Sequence, residues 1–192
     1  WVEGGQHLIR SRADDQVTPT GNQETPAAGN QFLWDVTAPS ATIVSPVDGE
    51  FYNSLSQTTG NSTESSTGTA RSGVNRVEIA VKSGGSYWSA NGSSWTASET
   101  WNQATATNSW SYSFGTSPAS GPALASGGVY KLWLKPADKA GNVPAVNTTV
   151  GGLQFRYDID TPASAMTQPA PGADLKSQVA VISGTSSDTG GA

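Results

Sequence analysis

The residues able to do chemistry are few and scattered. There is one histidine, His7, and no cysteine, which removes thiolate nucleophiles, disulfides and thiolate-held metals together. Carboxylates lie close in sequence at Asp14–Asp15 and Asp158–Asp160, but acid–base catalysis needs two carboxyls held across a cleft, and these sit among turn-forming residues. No phosphate-binding glycine loop and no histidine cluster is present, so the chain reads as non-catalytic and without a cofactor. The one metal that suits its side chains is calcium, a hard cation that takes several carboxylate and carbonyl oxygens. Asp138, Asp158 and Asp160 are the set expected to converge near a domain junction. Their alternative role is to cap backbone N–H groups in turns.

The second concentration of functional side chains is aromatic. Tyr87, Trp88, Trp95 and Trp101 fall within fifteen residues, interrupted by the turn-forming Asn91-Gly92-Ser93-Ser94. Exposed indoles make platforms for the C–H faces of sugar rings, whereas packed indoles cover a core; both readings suit a hairpin leaning on a sheet. Lys82 and Lys131, candidates for a lysine–asparagine crosslink, alternate with apolar residues and are expected to face solvent, with nothing to fix a partner. The triplets at Asn61, Asn91 and Asn147 match N-glycosylation acceptors and fit surface loops.

The elements that must position these residues are strands. Among 192 residues there are 22 glycines and 11 prolines, and charged residues make up only 13%, so turns are frequent and long helical faces are hard to build. Seven Trp, five Tyr and four Phe supply the buried area of a thin core. Thr42–Ser45 reads as a short first strand ending at the Pro46–Gly49 turn; Val74–Lys82, Trp110–Phe114 and Tyr130–Lys135 alternate in polarity with period two, with one buried and one wet face, and Leu153, Phe155 and Tyr157 supply a closing strand. The net charge of −5 opposes a nucleic-acid partner, and no apolar run approaches the ~20 residues of a membrane-spanning helix.

The chain is also similar to itself. Phe32-Leu33-Trp34-Asp35-Val36-Thr37-Ala38-Pro39 matches Phe155-Arg156-Tyr157-Asp158-Ile159-Asp160-Thr161-Pro162 at an offset of 123 residues. The same shift pairs Gly5 with Gly128, His7 with Tyr130, Ile9 with Leu132, Asp15 with Asp138, Ile43 with Met166 and Gly49 with Gly172. Residues 1–36 therefore read as the end of one repeat, 37–159 as a complete repeat and 160–192 as the start of a third, cut from a longer chain.

Asp35-x-x-Ala38-Pro39 leading to Ile43-x-x-Pro46-x-x-Gly49, then Ser72-Gly73-Val74-x-x-Val77, Tyr130-x-Leu132 and Asp138-Lys139-Ala140-Gly141-Asn142, resembles the tandem bacterial Ig-like repeats of secreted and surface-anchored proteins. The resemblance implies an all-β, Ig-like antiparallel β-sandwich in tandem, on the outside of the cell, whose partners are neighbouring repeats, other copies, or glycans and surface polymers. Residues with structural roles are Tyr130, as a corner tyrosine, Gly141 and Asn142 in the turn, and Pro39 and Pro162 stiffening the linkers. In the first repeat the turn after Asp15 is longer, running through Gln16–Thr20 before Gly21-Asn22. The expected function is a semi-rigid spacer or adhesive fibre component. The alternatives are a carbohydrate-binding accessory module and a filament subunit assembled by strand exchange.

Overall fold

The computed structural model describes residues 1–64, 71–115, 120–144, 151–178 and 181–189, and among them it is all-β, with no helix. Five strands form the central framework: β3 (Ser40–Ser45), β5 (Gln57–Thr63), β6 (Val74–Ser83), β10 (Ser109–Ser113) and β11 (Gly128–Asp138). To these are added β4 (Phe51–Tyr52), β7 (Ser86–Ser89), β8 (Ser94–Thr96), β9 (Asn102–Gln103) and β12 (Leu153–Tyr157). They make a three-stranded sheet ordered β10-β5-β3 and a seven-stranded sheet ordered β4-β12-β11-β6-β7-β8, with β9 beside β6.

The two sheets share one core. Val77, Ile79 and Val81 of β6 are fully buried, as are Leu132 of β11 and Phe155 of β12, and they meet Ala41, Trp110 and Tyr112 from the three-stranded sheet. Residues between them in sequence point outward, as period-two alternation requires. The strand β5 has no apolar side chain: it reads Gln-Thr-Thr-Gly-Asn-Ser-Thr. It lies in the middle of its sheet because Thr58 donates from Oγ1 to the Ser45 carbonyl at 2.8 Å, Ser62 Oγ donates to the Thr107 carbonyl, and Gly60 makes room for Trp110. A Cβ at Gly60 would stand 2.3 Å from the Trp110 Cζ2 and 2.0 Å from the Thr42 carbonyl. The acceptor triplet at Asn61, which sequence placed in a loop, is thus part of a central strand. The Asn91 triplet falls in the β7–β8 turn, and Asn147 lies outside the described residues.

Two further pairs flank this framework: β1 (Gly5–Ile9) with β2 (Asn30–Trp34), and β13 (Ala163–Gln168) with β14 (Ser183–Ser187). Gly5 faces Trp34 and Ile9 faces Asn30, while Gly128 faces Tyr157 and Leu132 faces Leu153, so β1–β2 has the register of β11–β12 at the 123-residue offset. β13–β14 resembles β3–β5 with its second strand one residue further on: Met166 faces Gly184, where Ile43 faces Gly60, and the register shifts at the next step in both pairs. The long turn after Asp15 closes on the same bonds as the short one after Asp138. Asn22 donates its N–H and Nδ2 to Asp15, and Asn142 donates both to Asp138, at 2.7–2.8 Å.

Candidate functional site

The four aromatics singled out by sequence divide between two faces. Trp88 and Trp95 are directly opposed across β7–β8, edge to face at 5.5 Å, and lie on the core side: Trp88 packs against the core and donates from Nε1 to the Ser120 carbonyl, and Trp95 approaches Tyr130. Tyr87, one residue from Trp88, is on the outer face, 6.2 Å from Trp133 and beneath the Lys82 ammonium. Trp101 is also outside, under the Lys135 ammonium at 4.5 Å, with its Nε1 donating to Glu99. A single platform of all four is therefore not formed. Trp133 was missing from the sequence-based set, although its alternation with Leu132 and Leu134 already placed it beside Lys131 and Lys135 on the outer face.

The three aspartates divide as well. Asp158 and Asp160 come together on Ser126, whose Oγ reaches Asp158 at 3.2 Å and Asp160 at 2.9 Å, while the Asp160 N–H donates to Asp158. Asp138 lies at the opposite end of the eleven-residue strand β11, about 30 Å away at ~3.3 Å per residue. There its carboxylate oxygens come within 4.8 Å of those of Asp35 and Glu64, the one such acidic trio found among the described residues.

Sequence reasoning overlooked both Glu64 and Asp35. Asp35, read as a linker residue, is buried, with 7% exposure. Its carboxylate accepts the Thr37 N–H at 3.2 Å and the Ser72 N–H at 2.9 Å, and its carbonyl accepts Asn142 Nδ2 at 3.1 Å. Beside it the Val36 N–H donates to Glu3, just as the Ile159 N–H donates to Ser126. Residue 36 and its neighbours thus form a joint: Glu3 grips it from the β1 side, while Ser72 and Asn142 grip it from the central framework. Pro39 is fully buried beyond it, Gly141 supplies a φ of +94° in the turn, and Pro162 directly precedes β13. At the other end of β11 the Tyr130 hydroxyl accepts the Ala125 N–H at 2.9 Å, and its ring stacks on Phe155. His7, at the corresponding place in β1, packs against Trp1 and Phe32.

Burial raises the Asp35 pKa, but the Ser72 and Thr37 donors outweigh it and leave the group below its ordinary value. A folded-state value below the unfolded one means that the stabilisation is present above pH ~4 and is lost as pH falls through the depressed value. The thermal midpoint is therefore expected to fall on acidification below about pH 4, and to fall less steeply in Asp35→Asn, which cannot ionise. Parallel slopes in the two proteins would contradict this. No protein-family model matches the chain, and no curated protein matches it.

Proposed function

We propose that the chain is part of a non-catalytic, extracellular array of Ig-like β-sandwich repeats that serves as a load-bearing spacer or adhesive stalk. The observation that carries this reading is the parallel contact between β4 and β12. Gly49 N–H donates to the Gln154 carbonyl, Arg156 N–H to Glu50, and Asp158 N–H to Tyr52, at 2.7–3.0 Å; Asp48 Oδ1 adds a bond from Gln154 N–H. Tension entering at residue 37 passes first through β3; once β3 comes away from β5, that tension and the pull leaving at residue 159 draw the parallel strands β4 and β12 in opposite directions along their length. These bonds lie across the force and are loaded together rather than one after another. A shear clamp between β4 and the exit strand β12 suits a chain that transmits force.

The duplicated registers at an offset of 123 support the repeat part of the reading, and the Asp35 joint supports short, stiffened connections between units. The bacterial, surface-exposed setting rests on the sequence resemblance. The calcium reading moves to the Asp35–Glu64–Asp138 trio: a raised thermal midpoint on adding calcium to chelator-treated protein supports it, and an unchanged midpoint removes it. The test of the main reading is mechanical. Stretched between its two ends, the chain is expected to give one dominant rupture, weakened in Asp48→Ala; a smooth extension without a rupture would count against it.

A further inference from the structure

We propose that the outer face of the β6–β11 ladder binds an anionic oligosaccharide, with Lys82 and Lys131 on its acidic groups and Trp133 and Tyr87 against its rings. The proposal concerns a different surface from the β4–β12 clamp and stands or falls separately from it.

The first observation is a like-charge pair for which the sheet supplies no acidic partner, Lys82 resting instead over the Tyr87 ring. Lys82 and Lys131 are direct cross-strand partners on the outer face, and like charges directly opposed in a sheet are destabilising. Four residues along β11 the same ladder opposes Lys135 to Glu78, joined at 3.4 Å, so this sheet does place an acid against a lysine elsewhere. Glu78 also takes Arg76 and is the only carboxylate at an outward position of β6, β11 and β12. Five of the chain's ten basic residues, Arg76, Lys82, Lys131, Lys135 and Arg156, stand on this one face of a protein whose net charge is −5. A concentration of positive charge against the overall sign points to a negatively charged ligand.

The second observation is a shaped cleft at the unneutralised pair. Lys82, Gly84, Val129, Lys131 and Trp133 line a shallow cavity of about 310 Å³, within the range of small-ligand sites. Trp133 is held at its edge. Gly152, at a φ of +77°, lies so close beneath the indole that a Cβ there would meet Cε2 at 2.6 Å and Cζ2 at 2.7 Å. Tyr87 flanks the indole at 6.2 Å with Lys82 over its own ring. Two aromatic rings beside two lysines about 5 Å apart across the ladder offer both a stacking surface for pyranose C–H faces and a bridge for one carboxylate or sulfate. A nucleic acid fits less well, because its dense phosphates need a basic stripe much longer than this pair, on a molecule that is otherwise acidic.

The test is titration of the whole chain, followed by calorimetry and by the Trp133 indole N–H resonance. The probes are a short oligogalacturonate, the same oligomer fully methyl-esterified, a sulfated heparin-derived oligomer and an oligoglutamate. Saturable binding of the uronate or of the sulfated oligomer is expected, and which of them binds more tightly assigns the acidic group. Binding should be about tenfold weaker or worse for the neutral ester, for the Lys82→Gln/Lys131→Gln double variant and for Trp133→Ala. The lysine variant, which changes two half-buried side chains and relieves a like-charge pair, keeps the test valid if Trp133→Ala folds poorly. Failure of both acidic oligomers to bind, equal binding of the ester or of oligoglutamate, or undiminished binding by the lysine variant would overturn the proposal.

Discussion

Trp110→Ala is expected to destabilise the central framework by about 3–5 kcal/mol, a large share of the stability of a domain this size. Trp110 is 1% exposed and lies across the interface between the two sheets, its six-membered ring seated on Gly60 of β5. Truncation removes the largest buried side chain and leaves a cavity that the strands cannot close, since β5 is pinned on both sides by β3 and β10. Trp95→Ala is the matched control. Trp95 is 39% exposed at the end of the seven-stranded sheet, and its loss should cost about 1 kcal/mol or less. Urea denaturation of both variants, at unchanged m-value, measures the contrast. Equal midpoints would mean that the core is not built around Trp110.

Asn142→Ala carries the second large effect, about 2–3 kcal/mol, because one amide serves two buried partners. Its Nδ2 donates to the Asp138 carboxylate, 1% exposed, and to the Asp35 carbonyl in the joint. Without it, Asp138 keeps only the Asn142 N–H, and an under-satisfied buried carboxylate is costly. The joint is released at the same time, so amides of β1 and β2 should exchange faster with solvent than in the parent chain. Asn22→Ala removes the equivalent bond to Asp15, whose carboxyl is held below its ordinary value by the Asn22 side chain, then by the Asn22 and Val17 N–H groups. That turn is exposed and apart from the central core, so the central midpoint should not move. A loss in Asn22→Ala as large as in Asn142→Ala would refute the distinction.

The strands with period-two apolar residues were legible in sequence because burial on one face leaves a direct imprint: Val77, Ile79 and Val81 inward, Glu78 and Lys82 outward. β5 was not legible. Its inward positions are Thr58, Gly60 and Ser62, small or hydroxylated because the indole of Trp110 fills the space and backbone carbonyls satisfy the hydroxyls. The division of the aromatic hairpin followed from adjacency alone, since Tyr87 and Trp88 cannot share a face of one strand. Asp35 could not be found this way. Its partners Ser72 and Asn142 lie 37 and 107 residues further on, so its burial is a property of the assembled joint and leaves no local pattern. The offset of 123 was visible because the same registers recur in β1–β2 and β11–β12, which demand the same residue types at the same intervals.

The most direct measurement is single-molecule stretching in two directions. Pulled through residues 37 and 159, the central framework should rupture in one event releasing roughly 110 residues, ~35–38 nm of chain at about 3.5 Å per residue less its folded span. Pulled instead through residues 84 and 159, the outer sheet loads differently and the β4–β12 bonds no longer meet the force along their shared length, so the rupture should be weaker. A peak that is present in the first direction, higher than in the second and lowered by Asp48→Ala is the result the account predicts. Equal rupture in both directions, or no peak along the chain axis, would contradict a load-bearing role.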